Sequence, residues 1–203
     1  MSLVAALAGY LIGSLPTAQG LASLWGVDLL HDGSGNPGAN NARRLGGFGL
    51  AGLVLGVEAA KGAAAVLIGI ALAGDVGAVT AGIGAVAGNV FNVWYRFKGG
   101  KGLGISAGII LSSWPPAFAV SLAVIVLAVV VTRSSGMAAL ATISGLVVMG
   151  FGWNLYDWAN GWGISRTDLL LWLAVGIAAL LWRKHFRDWS VKRLDRRSLR
   201  ESV

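Results

Sequence analysis

The chain has 203 residues, 56% of them hydrophobic and only 12% charged, with a mean hydropathy of +0.71. That charged fraction is about half of what a soluble domain carries, so composition excludes a soluble globular protein and describes a single polytopic membrane domain over 1–203. The absence of cysteine rules out disulfides and thiolate chemistry, and the net charge of +7 is no nucleic-acid footprint, because eight of the 16 basic residues sit together from Arg183 to Arg200 with no recognition motif.

Seven apolar segments follow in chain order, at about 3–25, 47–72, 77–95, 102–113, 116–132, 136–155 and 168–184. No Lys or Arg precedes the first, so it reads as a retained transmembrane helix and not as a signal peptide. Gly74-Asp75 separates the second and third, and Pro115-Pro116 turns the chain after the fourth, which is short for a span of roughly 20 residues. A polar, aromatic stretch from Tyr156 to Thr167 precedes the last segment.

Charge placement orients this all-α arrangement. With seven spans, Arg43 and Arg44, then Arg96, Lys98 and Lys101, then Arg133, and finally the basic tail from about residue 183 all face one side. Only Lys61 and Arg166 do not. Cytoplasmic loops carry such an excess, which predicts the N-terminus outside and the C-terminus in the cytoplasm. Eight of the nine tryptophans, all but Trp172, lie near segment ends, as an interfacial belt requires. Glycine pairs at Gly9/Gly13, Gly52/Gly56, Gly84/Gly88 and Gly104/Gly108 suit close helix contact.

This topology brings two glycine-rich polar loops to the cytoplasmic face. The first, residues 32–47, reads DGSGNPGANNARRLGG; the second holds Phe97-Lys98-Gly99-Gly100-Lys101-Gly102. Glycines bring backbone N–H groups close to a ligand, lysines supply mobile charge and arginine grips phosphate through paired donors. Together the loops predict an anion site built from Arg44, Lys98, Lys101 and backbone N–H groups. Glu58 and Lys61, three residues apart on one helix face, read as a mutually neutralising pair, as Lys61 snorkelling to the interface, or as a brace for these loops. Asn89 and Asn92 share a face just before the lysine loop, placed to hydrogen-bond a substrate or to cap the helix end.

With both loops in view, the chain resembles the acyl-phosphate-dependent glycerol-3-phosphate acyltransferases, the PlsY family of bacterial membranes. The likeness runs from Tyr10-Leu11-Ile12-Gly13-Ser14-Leu15-Pro16, through the stretch from Gly33 to Asn41 and the Lys61-Gly62 pair, to Lys192-Arg193-Leu194. It is strongest at Phe97–Gly102, where the family carries the same FKGGKG string. The resemblance implies a seven-span enzyme of the bacterial inner membrane. Such an enzyme moves an acyl chain from acyl phosphate to glycerol 3-phosphate, giving lysophosphatidic acid and phosphate in phospholipid biosynthesis, with membrane lipids around it and no metal or cofactor. By resemblance, Ser34, Lys101 and Asn89 occupy the catalytic positions. Ser34, Gly35, Asn36, Asn41, Arg44, Lys98, Gly99, Gly100, Lys101 and Gly102 line the phosphates, supported by Glu58, Lys61, His185 and Arg193.

Several positions depart from the family pattern. Asn89 and Asn92 stand where the family usually has His and Pro, Asn40 replaces a Thr, Glu58 an Asp and Gly136 a Ser. In the tail, Arg187 and Ser190 take the places of a His and an Asn, with His185 two residues away. Asparagine hydrogen-bonds but cannot act as a base. These exchanges keep a second reading open: a divergent paralogue that binds or translocates a phosphorylated lipid without acyl transfer, or acylates another acceptor.

Overall fold

The computed structural model describes the backbone of residues 1–201 and the side chains of residues 1–186. Among the described residues the chain is helical throughout: α1 (Ser2–Ser14), α2 (Thr17–Leu24), α3 (Ala39–Val90), a 3-10 turn (Val93–Tyr95), α4 (Leu103–Ser113), α5 (Pro115–Thr132), α6 (Ser135–Tyr156) and α7 (Thr167–Glu201). Five stretches are long and apolar enough to cross a membrane: Ser2–Leu24, Ala39–Tyr95, Pro115–Thr132, Ser135–Tyr156 and Thr167–Phe186. The all-α membrane architecture expected from composition is present, and the breaks within it decide how the site is built.

α3 is not one rod. Gly47 (φ 77°) leaves the helix after its first two turns, and Ala73 and Gly74 (φ 59°) leave it again. At the second break the chain reverses, so that Gly69 and Gly77 press backbone to backbone: a Cβ on either would strike the other's carbonyl oxygen. The result is a short arm (39–46), a long arm (48–72) and a returning arm (75–90). α4 has only 11 residues, or about 16 Å of helix at 1.5 Å per residue.

The first predicted segment is also interrupted. Pro16 has no N–H and its ring obstructs the preceding turn, so the helix stops at Ser14 and restarts at Thr17. Sequence reading expected an uninterrupted run there; the proline divides it. Ser14 and Leu15 are left with carbonyl oxygens that a continuous helix would have used.

Glycine lets the helices touch. α1 lies directly on the returning arm of α3: a Cβ on Gly9 would meet Ala81 O, one on Gly13 would meet Ala85 O, and one on Gly88 would meet Tyr10 O. Gly108 of α4 sits the same way against Ala59 O. Gly52 and Gly56, which have the same spacing in sequence, have nothing within 4 Å. The main core gathers Val66, Ile105, Ile109, Leu173, Ile177 and Leu181, all buried, and Trp114 beneath the α4–α5 corner. A smaller core of Ala22, Leu29, Leu50 and Val54 underlies the first polar loop. At the far end from that loop, Asp75 accepts from the N–H groups of Ser165 and Arg166 at 2.9 and 3.1 Å, tying the α3 reversal to the start of α7.

Candidate active site

The lysine loop is spliced onto the end of α3. Phe97, in the left-handed region (φ 64°), donates its N–H to Asn92 O at 2.8 Å. Gly99 N–H donates to Val90 O at 3.1 Å and Gly100 N–H to Asn89 O at 2.9 Å, continuing the helix end sideways into the loop. Such an approach excludes a side chain, since a Cβ on Gly99 would strike Asn89 O. The Lys184 ammonium, arriving from α7, donates to Val90 O, Gly99 O and Gly100 O at 3.0, 3.0 and 2.8 Å. The N–H groups of Gly99 and Gly100, expected to face phosphate, donate to α3 in this structure, and their carbonyls accept from Lys184. What the loop presents is Lys98, exposed, and Lys101, partly exposed. Gly102 then opens α4 in the left-handed conformation (φ 77°) with no side chain capping the first turn. His185 is buried, its Nε2 3.2 Å from Lys101 O. A carbonyl only accepts, so Nε2 carries the proton.

The first loop is organised by Asn41. Its Nδ2 donates to Leu29 O (3.1 Å) and Asp32 O (3.0 Å), and its Oδ1 accepts from Ser34 N–H (2.9 Å). Gly33, in the left-handed region (φ 62°), packs so closely that a Cβ there would lie 2.5 Å from that Oδ1. Gly35 N–H closes a turn onto Asp32 O at 3.1 Å. Asn41 and Gly35, expected as phosphate ligands, are thus committed to the loop itself. Gln19 of α2 supports it from below, its Oε1 accepting from Leu29 N–H at 2.9 Å. Asp28 pairs with His31 at 2.7 Å, and this hydrogen bond holds the Asp28 carboxyl below its ordinary value. Ser34 and Arg44 remain exposed, and Asn36 is half-buried.

The loops meet at a small cleft lined by Pro37 from the first and Tyr95 and Gly100 from the second, with Leu15 and Pro16 as a wall and Glu58, Asn89 and Asn92 at the base. Its base is a buried polar network. Glu58 Oε1 accepts from Lys61 Nζ (2.9 Å) and Thr17 Oγ1 (3.1 Å), and Oε2 accepts from Asn89 Nδ2 (2.5 Å). Lys61 also donates to Leu15 O at 2.8 Å, and Asn92 Nδ2 to Ser14 O at 2.8 Å. Those are the two carbonyls released by Pro16. A buried charge is tolerated when paired and hydrogen-bonded; here carboxylate and ammonium neutralise each other, and asparagine and threonine complete the carboxylate. Lys61 does not snorkel: it is buried and paired with Glu58 at the base of the cleft. Arg193 lies outside the described side chains.

Three contributors escaped sequence reading. Thr17 and Tyr95 gave no pattern. Lys184 was counted only among the tail charges, although a signal existed: the buried stripe Leu170, Leu173, Ala174, Ile177, Leu181 of α7 advances by three or four residues and reaches 184 and 185 next.

The family model described as "Glycerol-3-phosphate acyltransferase" matches residues 3–194. A protein of Synechococcus sp. (strain JA-3-3Ab) named glycerol-3-phosphate acyltransferase is 48% identical over 145 residues, 69% of this chain and 71% of its own. One of that name from Nitrobacter winogradskyi is 37% identical over 185 residues, 90% of this chain and 88% of its own. Among solved structures, PlsY (YgiH), an integral membrane glycerol 3-phosphate acyltransferase, in its glycerol 3-phosphate form superposes with a TM-score of 0.79 at 28% identity, covering 95% of this chain and 91% of that one. Its lysophosphatidic acid form gives a TM-score of 0.78 at 27% identity. With a cleft assembled from the two loops that carry the resemblance, and a match from residue 3 to residue 194, this chain belongs to the glycerol-3-phosphate acyltransferase family.

Proposed function

We propose that this protein transfers an acyl chain from acyl phosphate to the 1-hydroxyl of glycerol 3-phosphate, releasing lysophosphatidic acid and inorganic phosphate. The observation that carries the proposal is the junction of the two polar loops, where Pro37 and Gly100 line one cleft; the two stretches that meet there carry Arg44, Lys98 and Lys101 in sequence. Ser34 and Asn36 supply further polar groups on the first loop. Acyl phosphate is a reactive mixed anhydride, so the protein's task is to place the hydroxyl beside the acyl carbon and to compensate two phosphates.

The acceptor oxygen bonds to the acyl carbon, the bond from that carbon to the phosphate oxygen breaks, and the hydroxyl proton passes to the departing phosphate. Asn89 cannot take that proton, and its amide is already held by Glu58. The lysines hold the leaving phosphate and neutralise the charge it gains. Asn89 accordingly acts through the loop it supports, through its carbonyl bond to Gly100 N–H.

The membrane arrangement proposed with this function has seven crossings, the two long arms of α3 counting separately and α4 completing one with its flanks. The N-terminus is outside and the cleft faces the cytoplasm of a bacterial cell. Because the chain has no cysteine, single cysteines at positions 75 and 98 test it: an impermeant maleimide should label the first from outside the cell and the second only after lysis.

Activity is tested by giving the purified protein palmitoyl phosphate with and without glycerol 3-phosphate. Acceptor-dependent phosphate release with matching lysophosphatidic acid is expected, and Lys101→Ala should abolish it. Unchanged turnover in Lys101→Ala would remove the proposed site, and phosphate release independent of the acceptor would make the protein a hydrolase.

A further inference from the structure

A short turn aims the Tyr95 ring into the cleft. The 3-10 turn Val93–Tyr95 starts at Asn92, whose Oδ1 accepts from Trp94 N–H at 3.0 Å. In a helix of this kind residues i and i+3 stand on one side. Tyr95 therefore shares the side of buried Asn92, while Val93 and Trp94 are exposed. Its backbone is held at both ends: the N–H donates to Asn92 O at 3.2 Å, and the carbonyl accepts from Lys98 N–H at 3.0 Å. The next two residues, Arg96 (φ 50°) and Phe97 (φ 64°), are left-handed and exposed.

The hydroxyl at the tip of this ring is buried and has no hydrogen-bond partner among the described residues. Its polar neighbours at the base of the cleft are already engaged. Glu58 accepts three hydrogen bonds, one of them from the Asn89 amide. Asn92 uses both ends, its Nδ2 on Ser14 O and its Oδ1 under Trp94 N–H. An unpaired buried hydroxyl is unfavourable, and phenylalanine would fill the same space without it. The Tyr95 hydroxyl is satisfied when a molecule entering the cleft bonds to it.

The cleft limits what that molecule is. It encloses about 190 Å³, or roughly six water volumes at about 30 Å³ each, which suits a glycerol unit and not an acyl chain. Leu15, Pro16, Ala18 and Pro37 form walls whose side chains cannot hydrogen-bond. Gly100, which also lines it, precedes Lys101 in the loop proposed to hold phosphate. A phenol stays protonated at neutral pH and donates. Donation to the attacking 1-hydroxyl would draw on the lone pair needed for attack, so the group it serves is one that does not react.

We infer that the Tyr95 hydroxyl donates to the 2-hydroxyl of glycerol 3-phosphate, and that this bond makes the protein choose glycerol 3-phosphate over a phosphorylated alcohol lacking that group. The inference rests on the acyl-transfer reading above.

The test uses 3-hydroxypropyl phosphate, which keeps the reacting hydroxyl and the phosphate of glycerol 3-phosphate but has no 2-hydroxyl. With palmitoyl phosphate as donor, the full chain should favour glycerol 3-phosphate by roughly 10-fold or more in kcat/KM, since a site built to bond a hydroxyl rejects the analogue without it. Tyr95→Phe should lose about that factor on glycerol 3-phosphate and less than about twofold on the analogue. Equal losses on both acceptors, or none, would overturn the inference. Tyr95→Phe should also melt at or above the parent's temperature, because an unpaired hydroxyl has gone; a lower Tm would make the hydroxyl a structural group and overturn it as well. Calorimetric binding of each acceptor without donor separates this inference from acyl transfer. If the parent protein turns over neither acceptor, the acyl-transfer reading fails. Tighter binding of glycerol 3-phosphate than of the analogue, in the parent and not in Tyr95→Phe, would still uphold the hydroxyl's role, and the lack of such a difference would overturn it.

Discussion

Asn89 and Glu58 meet at 2.5 Å across the two long arms of α3, and through them the lysine loop is coupled to the only Glu–Lys pair that the described residues bury. Glu58 accepts three hydrogen bonds, from Thr17, Lys61 and Asn89. Replacing it with Ala leaves the Lys61 ammonium buried with only Leu15 O to receive it. Breaking a buried pair this way costs about 3–5 kcal/mol. Glu58→Ala should therefore lower Tm by many degrees, and the double variant Glu58→Ala/Lys61→Met should recover part of that loss; thermal unfolding in detergent measures both.

Lys184 holds three carbonyls at the base of the lysine loop. Lys184→Met should reduce kcat/KM by about tenfold or more, equivalent to at least about 1.4 kcal/mol of transition-state stabilisation, with helix content unchanged by circular dichroism. Lys184→Arg should not rescue it, because a planar guanidinium cannot direct donors at three carbonyls as an ammonium does. Full rescue by arginine would mean that only the charge matters.

Asn41 and Ser34 separate organisation from contact. Asn41→Ala removes the three hydrogen bonds that its side chain makes within the first loop, so limited proteolysis within residues 28–41 should accelerate as activity falls. Ser34→Ala keeps the loop intact, because Ser34 joins it through its backbone N–H. Reduced turnover with an unchanged cleavage rate is the expected result there.

Gly108→Ala and Gly52→Ala test the helix contacts. The first puts a methyl group into the Ala59 carbonyl and should destabilise by roughly 1–3 kcal/mol. The second has nothing within 4 Å and should be neutral or stabilising by about 0.5–1 kcal/mol through the better helix propensity of alanine.

The Asp28 carboxyl, outside the helices and beside His31, sits below its ordinary value of 3.8 chiefly because His31 hydrogen-bonds to it. A depressed carboxyl supports the folded loop above its ordinary value and loses that support as pH falls through its lowered value. Proteolysis of the loop by an acid-active protease should rise on acidification in the parent protein. In Asp28→Asn it should be higher at neutral pH and much less pH-dependent.

Membrane architecture is legible in this sequence because hydrocarbon imposes long apolar runs, and the reversals fall at Gly74, which takes a left-handed conformation readily, and at Pro115, which has no N–H for the preceding helix. Spacing alone did not identify contact: Gly9/Gly13 and Gly52/Gly56 look alike, yet only the first pair has a helix against it. The candidate site was legible as a set of residue types and not as a set of roles. Whether a glycine N–H or an asparagine amide faces a ligand depends on what else reaches it. Lys184 reaches Gly100 from 84 positions away, and no local pattern records that. Asn41, by contrast, folds a loop only seven residues upstream of it into place, as asparagine commonly does in turns.

Pro16 gives the first helix a role that its hydropathy does not suggest. Substituting alanine would let that helix run on, and the carbonyls of Ser14 and Leu15 would be reclaimed by their own helix, from N–H groups four residues ahead. Asn92 and Lys61 would then lose acceptors 78 and 46 residues distant along the chain. One imino acid thus constrains which side chains two remote segments can carry, so that a change at any of the three positions is felt at the others.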